Sequence, residues 1–193
     1  MITTELVKQL RDQTGIPVMQ CKKALEEADG SMEKALVILR KKSVEISAKK
    51  SGRTLGSGAI GSYLHNTGTV GAMVILMSET DFVSKNEDFR KLAYDIAMHV
   101  AASNPEYLNV ADIPKETLTT AREVFEKEAK GKPTEMKEKI IEGKLTVYFK
   151  DKVLLNQPYI KNPELSIQSL IEQAVQKFGE RIEIQRFVRL SAK

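Results

Sequence analysis

Imidazole and thiol groups, the side chains most specific to catalysis and zinc binding, are scarce in this 193-residue chain: two histidines, His65 and His99, and one cysteine, Cys21. A lone cysteine excludes an intramolecular disulfide, and with two distant histidines it leaves too few soft ligands for a structural zinc site. Neither histidine has an obvious carboxylate partner nearby in sequence, so each reads as structural or solvated. P-loop, GxSxG, HExxH and EF-hand spacings are absent. Gly56-Ser57-Gly58-Ala59-Ile60-Gly61 matches GxGxxG in letters only. It precedes a β-prone run, whereas a dinucleotide loop follows a strand and opens a helix. No catalytic residue and no cofactor are expected.

The elements that could hold a binding surface are easier to read. Residues 3–41 form three short helical patterns. The first carries Leu6, Val7 and Leu10 and stops before Thr14-Gly15. The second opens at Pro17, which the first turn tolerates, and turns Met19, Ala24, Leu25 and Ala28 mostly inward. Asp29-Gly30-Ser31 is a turn and cap cluster. The third puts Met32, Ala35, Leu36 and Leu39 on one face. Residues 42–57 read as a basic, Gly/Ser-bearing linker. Ala59–His65 and Val70–Met77 then suit a hairpin turning at Asn66-Thr67-Gly68-Thr69, and Ile182–Leu190 suits a third strand. In that strand Ile182, Ile184, Val188 and Leu190 share a face, with Arg186 and Phe187 each on the wrong side.

Apolar stripes over Phe89–Ala101 and Ile167–Phe178 predict two longer helices, the latter capped by Ser166 and closed by Gly179. Two more are expected at about 116–130 and 134–149, divided by Gly131-Lys132-Pro133. The fold class is therefore α+β: a small antiparallel sheet with helices on one side. Charge is uneven. Residues 40–53 hold Arg40, Lys41, Lys42, Lys49, Lys50 and Arg53 against Glu45 alone, a local +5 within a net +4. That segment reads as a solvated helix end and linker, with RNA or ribosome binding as the alternative. The longest apolar-or-Gly run, Val70–Met77, has eight residues, against roughly 20 for a spanning helix. No secretory or transit signal is read at the N-terminus, and the single cysteine suits a reducing, cytosolic compartment.

Two segments go further. Thr14-Gly15-Ile16-Pro17-Val18-Met19-Gln20-Cys21-Lys22-Lys23-Ala24-Leu25 resembles the TGxxxMxCKKAL signature of the elongation factor Ts family, and Thr80-Asp81-Phe82-Val83 its TDFV motif. Supporting matches follow in order, among them Gly61-Ser62-Tyr63-Leu64-His65, Ala97-Met98-His99-Val100-Ala101, Gly131-Lys132-Pro133 and Gln157-Pro158-Tyr159. The family's Glu-x-Asn-Cys ahead of TDFV is replaced by Ile75, Leu76, Met77 and Ser78.

The resemblance implies a guanine nucleotide exchange factor that is not an enzyme. Its partner would be elongation factor Tu, in the GDP-bound and nucleotide-free forms. It further implies an N-terminal three-helix (UBA-like) module over 1–41, the linker 42–57 and an α+β core over 58–193. Long members carry a second core module and a protruding helical hairpin; this chain has room for one module, as in short forms expected to pair non-covalently as homodimers. No membrane and no direct nucleic acid contact is implied. Thr80, Asp81, Phe82 and Val83 would disturb the partner's magnesium site. Arg11, Val18, Met19, Lys22, His65 and Ile160 would be further contacts. Pattern alone reads Phe82 as a core residue and Ser84-x-x-Glu87 as a capping box, Met19 as core and Lys22 as solvated.

Overall fold

The computed structural model describes residues 2–129 and 134–192; the expected break at Gly131-Lys132-Pro133 lies outside them. Helices α1 (Thr4–Thr14), α2 (Val18–Glu27) and α3 (Met32–Lys50) come first. Strands β1 (Ser57–Leu64) and β2 (Val70–Ser78), the single turn α4 (Asp81–Ser84) and α5 (Glu87–Ser103) follow. Next come α6 (Lys115–Glu128), α7 (Thr134–Lys150), β3 (Pro158–Tyr159), β4 (Asn162–Ser166), α8 (Ile167–Phe178) and β5 (Ile182–Ser191).

The three N-terminal helices close on their own apolar residues: Leu10, Ile16, Cys21, Ala24, Leu25, Ala35 and Leu39 are buried together. Gly15 ends α1 in the left-handed region (φ 67°) that disfavours a side chain. Ser31 caps α3, accepting from the Lys34 N–H. Contrary to the expected linker from residue 42, α3 continues to Lys50. The reason is tertiary: Ile46 packs on the main core, and the buried Ser43 hydroxyl, with one proton to give, lies within hydrogen-bond reach of both Leu39 O and the Gln176 side-chain oxygen of α8. Gln176 in turn donates to Gln20 of α2 at 2.6 Å. Polar residues invisible to an apolar-pattern reading thus dock α2 and α3 on the core.

The expected α+β class is what the structure has. The sheet runs β1-β2-β5, antiparallel throughout, with α5 and α8 against one face. Phe89, Ala93, Ile96, Ala97 and Val100 of α5 meet Val74 and Leu76 of β2 and Ile182 and Ile184 of β5. A side chain at Gly61 would stand 2.1 Å from Ala93 C, so glycine there sets the close approach of β1 to α5.

β5 corrects the sequence reading. Ile75 pairs with Arg186 but Leu76 with Ile184, leaving Gln185 as a bulge. Facing therefore reverses along the strand. Ile182 and Ile184 point into the core; after the bulge Phe187 and Arg189 do, and Arg189 donates to Ala101 O at 3.0 Å. Val188 and Leu190 are on the open face, not with the isoleucines. The misplaced Arg186 and Phe187 were the trace of that extra residue.

α6 and α7 lie side by side, joined by Arg122–Glu138, Lys144–Glu128 and a T-shaped Phe125–Tyr148 contact. So the short chain does carry a helical hairpin, rooted on Ile113, Phe149 and Val153. The β3–β4 hairpin was missed by sequence because prolines at 158 and 163 obscured it.

Candidate functional site

Thr80 to Ser84 form the element on which the sequence reading placed most weight. It is a strand-to-helix junction: β2 ends at Ser78, Thr80 is extended (φ −123°, ψ 161°), and Asp81–Ser84 make one turn. The two sides of that turn differ sharply. Val83 and Ser84 are buried, and the Ser84 hydroxyl meets Ser57 Oγ of β1 at 2.8 Å. Phe82 is 84 % exposed and Asp81 lies beside it in solvent. A phenylalanine held out on a rigid turn corrects the core reading. Val83 belongs to the core and anchors the turn. Ser84 does not cap the next helix. Asn86 does, accepting from the Asp88 N–H at 2.9 Å.

Asp81 accepts from Lys85 at 2.6 Å one turn on, and this hydrogen bond holds its carboxyl below the usual carboxylate range. The anion is exposed and paired with an equally exposed lysine. Glu79, just before the motif, is also held low, first by the Arg181 backbone N–H at 2.6 Å and then by Arg53.

The other candidates are all surface residues. Arg11 on α1 and Val18, Met19 and Lys22 on α2 are exposed. Met19 at 62 % corrects its inward assignment; Cys21 takes the inward place. Burial raises the Cys21 thiol pKa, so it is an unreactive packing residue. The C-terminal end of α8 ties these elements to the TDFV turn: Gln176 reaches Gln20, Lys177 reaches Asp88 at 2.7 Å, and Glu180 reaches Thr80. α2 and α4 therefore sit at one end of the core. His65, at the far end of β1, is displaced by about 25 Å of strand. Ile160, 41 % exposed, is in the β3–β4 turn.

Sequence reasoning missed what supports Ile160. His99 is fully buried. Gln157 gives its amide hydrogen to Asp151 O, so its oxygen accepts from His99 Nε2 at 2.8 Å. That leaves Nδ1 as the acceptor for the Ile160 N–H at 3.3 Å, and fixes a neutral tautomer. Burial lowers the His99 pKa from 6.5 despite the Gln157 bond, which raises it. As pH falls, the unfolded chain protonates first, so the folded state binds fewer protons than the unfolded one. The stabilisation is complete above about pH 6.5 and is lost as pH drops through the folded value. Melting temperature should therefore fall on acidification from pH 7.5 to 5. His99→Gln should flatten that dependence; an unchanged slope would refute the assignment.

Four of the six cations of the basic segment are engaged. Arg40 pairs with Glu164, Lys42 with Glu27 and Arg53 with Glu79, while Lys50 donates to Gly179 O. Among the described residues no group of three His/Cys/Asp/Glu could hold a metal ion, and no helix is long and apolar enough to cross a membrane.

The family model for elongation factor Ts matches residues 21–193. The elongation factor Ts of Thermodesulfovibrio yellowstonii is 49% identical over 189 residues, 97% of this chain and 94% of that protein. That of Carboxydothermus hydrogenoformans is 46% identical over 191 residues, 98% of this chain and 88% of its own length. The protein of the same name from Thermosipho melanesiensis is 44% identical over 193 residues, 99% and 98% of the two chains. The chain belongs to the elongation factor Ts family. It is a nucleotide exchange factor for elongation factor Tu, and not an enzyme.

Proposed function

We propose that exchange is driven by Asp81 and Phe82, presented on the α4 turn, entering the nucleotide-binding domain of elongation factor Tu and disturbing its magnesium and phosphate contacts. The observation that carries this is the exposure of Phe82 on a turn whose opposite side is locked into the core. An aromatic ring forced between packed elements of a partner costs that partner about 1–3 kcal/mol of overpacking. It also shifts ligands from an octahedral magnesium site that tolerates little distortion. No covalent step and no bound nucleotide on this chain are involved.

The energetics are those of linkage. GDP held at nanomolar affinity represents about 12 kcal/mol. Every factor by which the exchange factor weakens GDP weakens its own hold on the GDP form equally. Each tenfold acceleration of release needs about 1.4 kcal/mol off the barrier. Arg11, Val18, Met19 and Lys22 supply docking at the α4 end, with His65 and Ile160 as contacts at the far end of β1 and in the β3–β4 turn. Carboxylate pairing of Arg40, Lys42 and Arg53 offsets half of the basic charge of 40–53 and counts against the RNA reading.

The protein acts as a non-covalent homodimer in the cytoplasm. Support comes from the open face of the sheet, where Leu64 and Leu190 flank Gly71, Met73 lies beside Val188, and Ile60 beside Ile75. Leu190 and Leu64 are 70 % and 68 % exposed, a concentration of apolar surface that usually marks an interface. The function itself is tested by release of labelled GDP from elongation factor Tu at substoichiometric concentrations of this protein. Multiple turnovers, with release many-fold above the spontaneous rate, are expected; release no faster than without it would refute exchange.

A further inference from the structure

A single hydrogen-bonded turn cannot hold itself in place, and α4 is one: Ser84 N–H to Thr80 O and Lys85 N–H to Asp81 O are its main bonds. Its direction must come from outside. Thr80 occupies the N-cap position, where a threonine hydroxyl ordinarily accepts from the first-turn N–H groups. Here it makes no such bond. It donates instead to Glu180 Oε1 at 2.6 Å, while its backbone N–H donates to Glu180 Oε2 at 3.0 Å. Glu180 lies in the connection from α8 to β5, a hundred residues away in sequence.

The contact is reciprocal. The residue before Thr80, Glu79, accepts from the N–H of the residue after Glu180, Arg181, at 2.6 Å. The Arg181 side chain then reaches Arg53 O and Glu183, and Arg53 closes back on Glu79. Ser78 pins the Thr80 carbonyl from below at 2.9 Å. Two carboxylates from two segments each grip the other segment's backbone, Glu180 that of Thr80 and Glu79 that of Arg181, and the two residues that take part on this side, Glu79 and Thr80, directly precede Asp81.

We propose that Glu180 is a positioning residue for exchange: its carboxylate, acting through both donors of Thr80, sets the angle at which Asp81 and Phe82 meet the partner. The inference rests on the reading of Phe82 as the element that drives exchange. It distinguishes two uses of a carboxylate, since Glu180 need not touch elongation factor Tu at all. A reacting element misplaced by about 1 Å forfeits up to a hundredfold in rate, whereas surface docking elsewhere is unaffected.

The test is steady-state GDP release at varied elongation factor Tu·GDP, with the intact chain. Glu180→Ala should lower the maximal rate by roughly tenfold, about 1.4 kcal/mol, with half-saturation changed less than about twofold and melting temperature nearly unchanged. Glu180→Gln should recover most of the rate. Its amide oxygen still accepts the Thr80 N–H, and its NH₂ donates to a Thr80 hydroxyl that can turn round. In a Phe82→Ala background, Glu180→Ala should add little. If Phe82→Ala slows exchange but Glu180→Ala does not, or slows it equally in both backgrounds, the positioning role is overturned while the reading of Phe82 stands. If Phe82→Ala itself has no effect, that reading fails and takes this one with it.

Discussion

Replacing Phe82 by alanine will slow catalysed GDP release by about tenfold or more, the loss of at least one 1.4 kcal/mol contribution to the barrier. Thermal stability will hardly move. An 84 % exposed ring contributes little to the fold, and surface substitutions stay within about 0.5 kcal/mol, or roughly 2 °C for a chain of this size. Phe89, seven residues on and fully buried, is the internal contrast. Phe89→Ala should cost about 3–5 kcal/mol and lower the melting temperature by roughly 10 °C. Asp81→Ala should slow exchange in the same direction as Phe82→Ala, leaving Lys85 without its carboxylate. Magnesium chelation separates a wedge from simple docking. If the pair acts on the partner's metal site, chelation performs their step and the gap between mutant and wild type should shrink. A defect equally large without magnesium would falsify the magnesium part of the mechanism and leave exchange itself intact.

The second large effect concerns assembly. Light scattering under reducing conditions should return about twice the 21.6 kDa chain mass. Met73→Lys combined with Val188→Lys places two ammonium groups side by side in the middle of the open sheet face. Sheet-on-sheet packing brings such faces to about 10 Å, where each unpaired charge costs several kcal/mol of desolvation, roughly a hundredfold or more in dimer affinity. The double variant should run at the mass of one chain and should exchange nucleotide more slowly. Its fold should persist, because both side chains point away from α5 and α8. A wild-type monomer at tens of micromolar with full exchange activity would sink the dimer.

How much of this was legible beforehand depends on the kind of signal. Long apolar stripes placed α5 and α8, and turn chemistry placed the β1–β2 hairpin and the αL glycine closing α8 (Gly179, φ 72°). The motif residues found the α4 turn. What periodicity could not show is which side of a single turn faces out, because four residues carry too little pattern to orient them. Phe82 and Val83 are adjacent and both apolar, yet one is surface and one is core. The extension of α3 to Lys50 was hidden for a different reason. Its stabilising contacts are polar, Ser43 and Lys50 reaching α8 and the turn after it, and polar contacts have no periodic signature. The Glu180–Thr80 grip spans a hundred residues and was beyond any local reading.

The extra residue at Gln185 divides the outer side of the sheet into two territories. Toward α4, β5 shows Glu183 and Arg186 there, beside Met77 and Ile75; toward the hairpin it shows Val188 and Leu190. Without the bulge, the strand would have turned Phe187 and Arg189 outward at the hairpin end and buried the two aliphatics. In the proposed homodimer, a second copy drawn by hydrophobic burial would be steered to the hairpin end and halted by charge before the end where Phe82 stands. If the proposed homodimer and the proposed role of Phe82 both hold, one bulged residue in one strand would let a single small sheet serve a second copy and the GTPase without making them rivals.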